Sequence, residues 1–264
     1  MAIPLPSQTV PARAGAALSL TVTAPVAPAA SPRATGLMRR IEILTLCPHR
    51  PGDIVETTRV VPAVPIFEEA VAAFARGAQV PTERGLVAVE DLLPGDRVKT
   101  VGRGFRTLLW RGATTLVTGV PGQSAEMGRL TRISADALGI ARPMHDLVLG
   151  PMAQLVRHGD AIERITGHRA AAIPARDLID GMGVVELTPP SAVAVFHLGF
   201  ERHERLLANG VEVASYHPDP SRLARLLPEQ RELFLSCFPH LQQIEDFGPP
   251  ALPRLRMTEL DMVA

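Results

Sequence analysis

Residues 73–98 read AFARGAQVPTERGLVAVEDLLPGDRV, and the order of turns and runs in this block decides the fold. Glu83 to Gly85 (ERG) is a turn, and Leu86 to Glu90 (LVAVE) alternates as a half-buried strand does. Leu93 to Asp96 (LPGD) is a second turn, and it leads into the strand RVKTV. Downstream to about Pro218 the same texture repeats. RTLLWRG, TTLVTGV, LTRIS, DLVLGP, VVELT, AVAVFHLGF, ERLLANG and VEVASY are short apolar runs divided by Gly, Pro, Asp and Asn. Regularly spaced short strands with turn signals predict an all-β body. ISADALGIA and IPARDLIDG read as helical interruptions of it.

Upstream, PIFEEAVAAFARG reads as a helix. Ile66, Phe67, Ala70, Val71 and Phe74 fall on one face of a 3.6-residue period, Pro65 suits its start and Gly77 its end. The alternation in RRIEILTL (Arg39 to Leu46) predicts a strand, ALSLTVTA predicts another, and CPHRPGD breaks the pattern as a turn. The Pro- and Ala-rich run TVTAPVAPAASPRATG has no period and reads as a linker or exposed arm. After Pro218 the pattern turns helical: SRLARLLPEQRELFLSCFPHLQQIEDFG places Leu223, Leu226, Leu227, Leu233, Phe234 and Phe238 at helical spacing. Pro228 divides or starts a helix there, and GPPALPRLRM reads as an exposed tail. The expected organisation is therefore an N-terminal segment over 1–65 with a few strands, a β domain over 66–218 and a helical extension over 219–264.

Composition narrows the function classes. Twenty-seven basic and 27 acidic residues cancel, which excludes the basic footprint of a nucleic-acid binder. Aromatic residues make up 4% of the chain, with Trp110 and Tyr216 the single Trp and Tyr, so no stacking platform is implied. Two distant cysteines, Cys47 and Cys237, imply neither a disulfide framework nor a Cys-rich zinc site. No apolar run is long enough for a membrane span and the N-terminus is not a signal peptide, so the default compartment is the cytoplasm, with a C-terminal export route left open.

Three blocks in order resemble the bacterial Hint domains of the hedgehog/intein superfamily, specifically the alphaproteobacterial Hint-type group. The first contributes Phe74, Gly77, Thr82, Gly85, Val89-Glu90-Asp91-Leu92 and Gly95-Asp96. The second, TRISADALGIARPMHDLVLGPMAQLV (Thr131 to Val156), is similar to the family block that ends in Ser-Pro-x-His. The third, VFHLGFERHERLLANGVEVASYHP (Val195 to Pro218), is similar to the closing block, with His197, His203, Ala208-Asn209-Gly210 and Ser215. The resemblance implies a mainly β, horseshoe-like fold of short strands, with a helix before it and a helical extension after it. It also implies self-cleavage chemistry. A Cys or Ser at the first position attacks the preceding peptide carbonyl, and a histidine protonates the departing nitrogen.

This chain departs from that pattern where it matters. Ala73 stands at the nucleophile position, and Ala153 stands at the histidine position, within Gly150-Pro151-Met152-Ala153. A methyl group has neither lone pair nor transferable proton. No Ser, Thr or Cys lies between Ala73 and Pro81, so a shifted register restores no nucleophile. The retained motif residues are Thr82, His197, His203 and Asn209. The resemblance therefore predicts a Hint-type domain without cleavage activity, kept as a structural or binding module. The alternatives are an active autoprocessing domain that breaks near Ala72 and an unrelated β-rich binding protein.

Other candidates carry bland readings. His197, His203 and His217, with Glu201 and Asp219 nearby, match no metal motif, so no metal and no cofactor are expected. Asn209-Gly210 is a hairpin turn, and no nucleophilic residue follows it. Cys47-Pro48-His49 lacks a second ligand pair, and Cys237 suits a buried small apolar position. Glu90, Asp91 and Asp96 suit a solvated edge and a turn cap. The extension's apolar face is expected to pack back on the β domain. A protein partner of unknown identity is the remaining alternative.

Overall fold

The computed structural model describes residues 36–47, 49–50 and 52–263. The predicted strand ALSLTVTA lies outside the described residues. Among the described residues the strands are β1 (Met38–Leu46), β2 (Ile54–Pro62), β3 (Phe74–Ala75), β4 (Gln79–Thr82), β5 (Gly85–Ala88), β6 (Arg97–Thr100), β7 (Gly104–Thr107), β8 (Trp110–Leu116), β9 (Leu130–Ile133), β10 (Leu147–Leu149), β11 (Gln154–His158), β12 (Ala170–Pro174), β13 (Val184–Leu187), β14 (Val193–Gly199), β15 (Arg205–Ala208) and β16 (Val211–Ala214). The helices are α1 (Pro65–Glu69), α2 (Asp160–Thr166), α3 (Pro220–Leu223), α4 (Pro228–Ser236) and α5 (Met257–Asp261). The fold is mainly β, as the turn-punctuated runs predict.

Two antiparallel sheets carry it. The first runs β13-β9-β10-β3-β14-β8-β1-β2, and the second runs β12-β11-β16-β15-β6-β4-β5 with β7 beside β6. Period-two burial builds both. In β1, Arg39, Ile41, Ile43 and Thr45 point inward while Met38 and Arg40 face solvent. One core is shared by the two sheets: Phe74, Leu147, Leu149 and Phe196 from the first meet Val80, Val98, Leu155, Leu206 and Val213 from the second. A second core joins Ile41, Ile43, Phe67 and Trp110 to Tyr216, Phe234 and Phe238. The C-terminal helix α4 therefore packs back on the body, as its apolar face predicts. Cys237 is buried there and its Sγ contacts the Leu233 carbonyl.

Several expectations need correction. The helix expected from Pro65 to Gly77 stops at Glu69. Residues 70–75 are buried on every side, and β3 lies between Leu149 of β10 and Val195 and Phe196 of β14. That run is apolar because it leaves the helix through a buried turn and ends as the central strand Phe74–Ala75, and its helical spacing is a by-product of an unbroken apolar stretch. Two glycines make room for it. A Cβ at Gly112 would fall 2.3 Å from the Ala70 carbonyl oxygen, and one at Gly150 would fall 2.3 Å from that of Ala72. ISADALGIA forms turns rather than helix, and in IPARDLIDG only Ala175–Leu178 makes a 3-10 turn. Strand β2, strands β11 and β12, and helix α2 were not anticipated from the pattern. The tail from Gly248 is not simply exposed, because Leu252 and Leu255 are buried and Arg254 bridges Ala172 in parallel.

Ahead of residue 65, β1 pairs with both β2 and β8, so the strands of the N-terminal segment continue the first sheet.

Candidate functional site

The peptide between Ala72 and Ala73 is held on both sides. The Ala72 carbonyl accepts from the Met152 amide at 2.9 Å, the Ala73 amide donates to the Phe196 carbonyl at 2.9 Å, and the Ala73 carbonyl accepts from the Gly150 amide at 2.8 Å. The Gly150–Ala153 turn thus clamps the junction, and its last residue is anchored in turn, with the Ala175 amide donating to the Ala153 carbonyl at 2.9 Å. Ala72, Ala73 and Ala153 have no exposed surface, and Ala73 and Ala153 belong to the same core cluster. Sequence reasoning singled out both alanines, and the chain brings them to one place. The side chains clustered with these alanines are apolar, Phe74, Leu149 and Phe196 among them.

The retained motif residues divide into two kinds. Thr82 and Asn209 are structural. The Thr82 hydroxyl donates to the Gly85 carbonyl at 2.9 Å and accepts from the Arg84 amide at 3.1 Å, which closes the β4–β5 turn. Asn209 sits at φ 46 with Gly210 at φ 91, the two positive angles of a tight hairpin turn between β15 and β16. Its Oδ1 accepts from the Gln79 amide at 2.7 Å, and its Nδ2 donates to the carbonyls of His145 and Asp146. That amide is fully committed to holding three segments together.

All three histidines, His197, His203 and His217, are buried, and burial lowers the pKa of each. The His197 Nδ1–H donates to the Glu69 carbonyl, which leaves a lone pair on Nε2, and Nε2 has no hydrogen-bond partner among the described residues. Burial lowers its pKa to about 4, partly offset by the hydrogen bond to the Glu69 carbonyl. His203 Nδ1 accepts from the Ala251 amide at 3.1 Å, and burial, then the neighbouring His217, lower its pKa to about 3. Both nitrogens of His217 face carbonyls, Pro218 and Gly248, each at 2.9 Å. No group of three or more His, Cys, Asp or Glu among the described residues is arranged to hold a metal ion.

A charged cluster beside these histidines was missed by sequence reasoning. Glu69 is buried, and its Oε1 contacts Arg254 Nη1 at 3.0 Å. Arg222 Nη1 stands 2.8 Å from the same oxygen as an ion pair, without hydrogen-bond alignment. Burial raises the Glu69 carboxyl pKa against the opposing pull of Arg254 and Arg222. Arg254 Nη2 also donates to the His217 carbonyl at 2.5 Å, and Asp219 Oδ2 lies 3.5 Å from Nη1. Glu69 Oε2 and the Tyr216 hydroxyl are buried without partners among the described residues, and Glu69, Tyr216 and His197 line one small pocket. The sequence signal that could have found Glu69 is its place: an acidic residue at the end of a short helix, directly before six buried residues.

The remaining sequence candidates keep their structural roles. Glu90 accepts from the Gly77 amide at 2.9 Å and pairs with Arg76. Asp96 accepts from the Leu93 amide at 2.9 Å and pairs with Arg84, as a turn cap does. Cys47 closes the β1–β2 connection through its backbone, with its amide on the Asp53 carbonyl. No helix among the described residues is long and apolar enough to cross a membrane.

A family model described as "Hint domain" matches residues 72–220, more than half of the chain. No curated protein matches. Among solved structures, the chain is similar to a bacterial intein-like domain from Clostridium thermocellum, at 14% identity over 55% of this chain and 99% of that one, with a TM-score of 0.37. It is also similar to the AceL NrdHF class 3 split intein in a GSH-linked, splice-inactive variant, at 10% identity, 55% and 99% coverage, with a TM-score of 0.38.

Proposed function

The chain belongs to the Hint domain family, and from that membership we propose that it is a Hint domain that does not cleave itself and is kept as a structural or binding module. One observation carries this reading: the Ala72–Ala73 peptide is buried, hydrogen-bonded at every described backbone group, and flanked by alanine where the family's chemistry needs a nucleophile and a proton donor. An N-to-S or N-to-O acyl shift transfers the acyl group of residue 72 from the nitrogen of residue 73 to that residue's own side-chain sulfur or oxygen. Ala73 has no such atom. A proton must also reach the departing nitrogen, because an amide nitrogen leaves poorly without one. The methyl of Ala153 supplies none, and the Ala73 amide hydrogen already points at the Phe196 carbonyl.

Nearby groups do not substitute. The Thr82 hydroxyl and the Asn209 amide are consumed by turns, and the Cys237 thiol is pushed up to about 11 by burial and bonds the Leu233 carbonyl. A thiol so protonated is a weak nucleophile.

The test is a gain of function. Ala73→Cys with Ala153→His returns the two missing groups to their positions. The expected result is cleavage between residues 72 and 73, accelerated by added thiol, with neither single variant cleaving at a comparable rate. An intact double variant with the parent's circular dichroism and melting transition would contradict the assignment of these two positions.

A further inference from the structure

The segment from Gly248 to Arg256, GPPALPRLR, lies along the edge of the second sheet, and its contacts are those of a bound peptide. Strand β12 is that edge, paired on its other side with β11. The Ala172 amide donates to the Pro253 carbonyl at 2.9 Å, and the Leu255 amide donates to the Ala172 carbonyl at 3.0 Å, so the arm adds in parallel through one residue of the edge. Pro249, Pro250 and Pro253 have no amide hydrogen, so the arm cannot extend this into a full ladder. Side chains do the rest. Leu252 packs with Val156, Ala172 and Ala214, while Leu255 packs with Ile162, Ala171 and Ile173. Between them Arg254 enters the acidic pocket of Glu69 and Asp219. Beyond them Arg256 makes a two-pronged pair with Asp177 at 2.6 and 2.8 Å.

The body reads the arm's backbone as well. His203 Nδ1 accepts from the Ala251 amide, and His217 Nε2 faces the Gly248 carbonyl. His203, a residue of the closing block that resembles the family, is here a contact for an extended strand.

We propose that this groove is a peptide-recognition site which the chain's own arm fills in cis, and that it takes in trans an extended segment of the same chemistry: an arginine flanked by leucines, followed by a second basic residue. Edge addition supplies the backbone contacts, and alternating apolar and acidic pockets supply the selection. The desolvated Glu69 is the selective element. The arm's Arg254 gives its Oε1 an aligned hydrogen bond, whereas Arg222 of the body gives the same oxygen only an unaligned ion pair, so a neutral side chain at position 254 leaves the buried carboxyl less well satisfied. The proposal does not rest on whether the domain cleaves itself.

The test uses the folded full chain with a site-specific protease sequence inserted between Phe247 and Gly248. After cutting, the arm is expected to co-elute with the body under native conditions. A fluorescent peptide of residues 248–264 is expected to displace it with saturable binding. Arg254→Ala or Leu255→Ala in the peptide should weaken binding by about 10-fold or more, about 1.4 kcal/mol. Glu69→Gln in the body should remove the advantage of arginine over alanine at position 254. A scrambled peptide that binds equally well overturns the proposal, as does a body that stays folded and binds no peptide. A body that unfolds on cutting also overturns it, because the arm would then be a core element rather than an occupant.

Discussion

Each motif residue has been given work by its neighbours, and the work can be measured. Asn209 shows this most plainly. Its side chain satisfies the Gln79 amide and two carbonyls while its backbone holds a positive φ. Asn209→Ala is expected to cost about 2–4 kcal/mol, since it leaves one amide and two carbonyls without their partner and strains the turn. Urea unfolding checks this, and a loss below about 1 kcal/mol would contradict it. The buried imidazoles set a pH dependence. Their pKa values in the fold, about 4 for His197 and about 3 for His203, lie below the ordinary 6.5. The unfolded chain therefore binds protons first as pH falls below 6.5, and stability drops through the window from 6.5 to about 4 while staying level above it. The slope is about 1.4 kcal/mol per pH unit for each such proton. Glu69 opposes the drop, because burial raises its carboxyl and protonation relieves it. Thermal midpoints measured at pH 7.5, 6 and 5 should fall, and His203→Gln should flatten the fall. That Ala73 and Ala153 lie close together was legible, because the motif blocks around them resemble family segments that meet in the fold. The Glu69–Arg254 pair was not legible, since its members lie far apart in sequence and meet only through the arm's path.

At the scale of elements, period-two alternation and turn residues were enough to read β1, β5, β6, β9, β14, β15 and β16. They failed where a run is apolar on both faces. Residues 70–75 look helical in sequence because nothing polar interrupts them, yet only Ala70 still follows the helix, Phe74 and Ala75 pair between neighbouring strands, and Gly112 and Gly150 press on the Ala70 and Ala72 carbonyls. Strand β2 escaped because Val55 and Val60, on opposite faces of the strand, are both exposed, which blurs the alternation. Helix α4 was visible from its leucine and phenylalanine spacing. What it docks on was not, because Trp110 and Tyr216 come from separate strand ends. The Phe238 ring stands 5.0 Å from Trp110 and 5.2 Å from Phe234. Phe238→Ala is expected to destabilise the protein by about 3–5 kcal/mol, which calorimetry would register as a clear fall in midpoint. A change under about 1 kcal/mol would mean that the helix is peripheral.

For the whole molecule, the flanks matter as much as the family domain. Strand β1, upstream of the Ala72–Ala73 junction, pairs with β8 downstream of it along Glu42 to Thr45. The apolar core around Trp110 joins residues from both sides of that junction. A break there would leave two pieces held in one sheet, so native electrophoresis would report a single species even for a cleaving enzyme. The direct test of the central claim is therefore the intact mass of freshly purified protein under denaturing conditions, before and after incubation with a thiol and with hydroxylamine. A single species at 28.3 kDa throughout is the predicted result. Two species that sum to the full chain and divide beside residue 73 would contradict it, and would make this Hint domain a working autoprocessor.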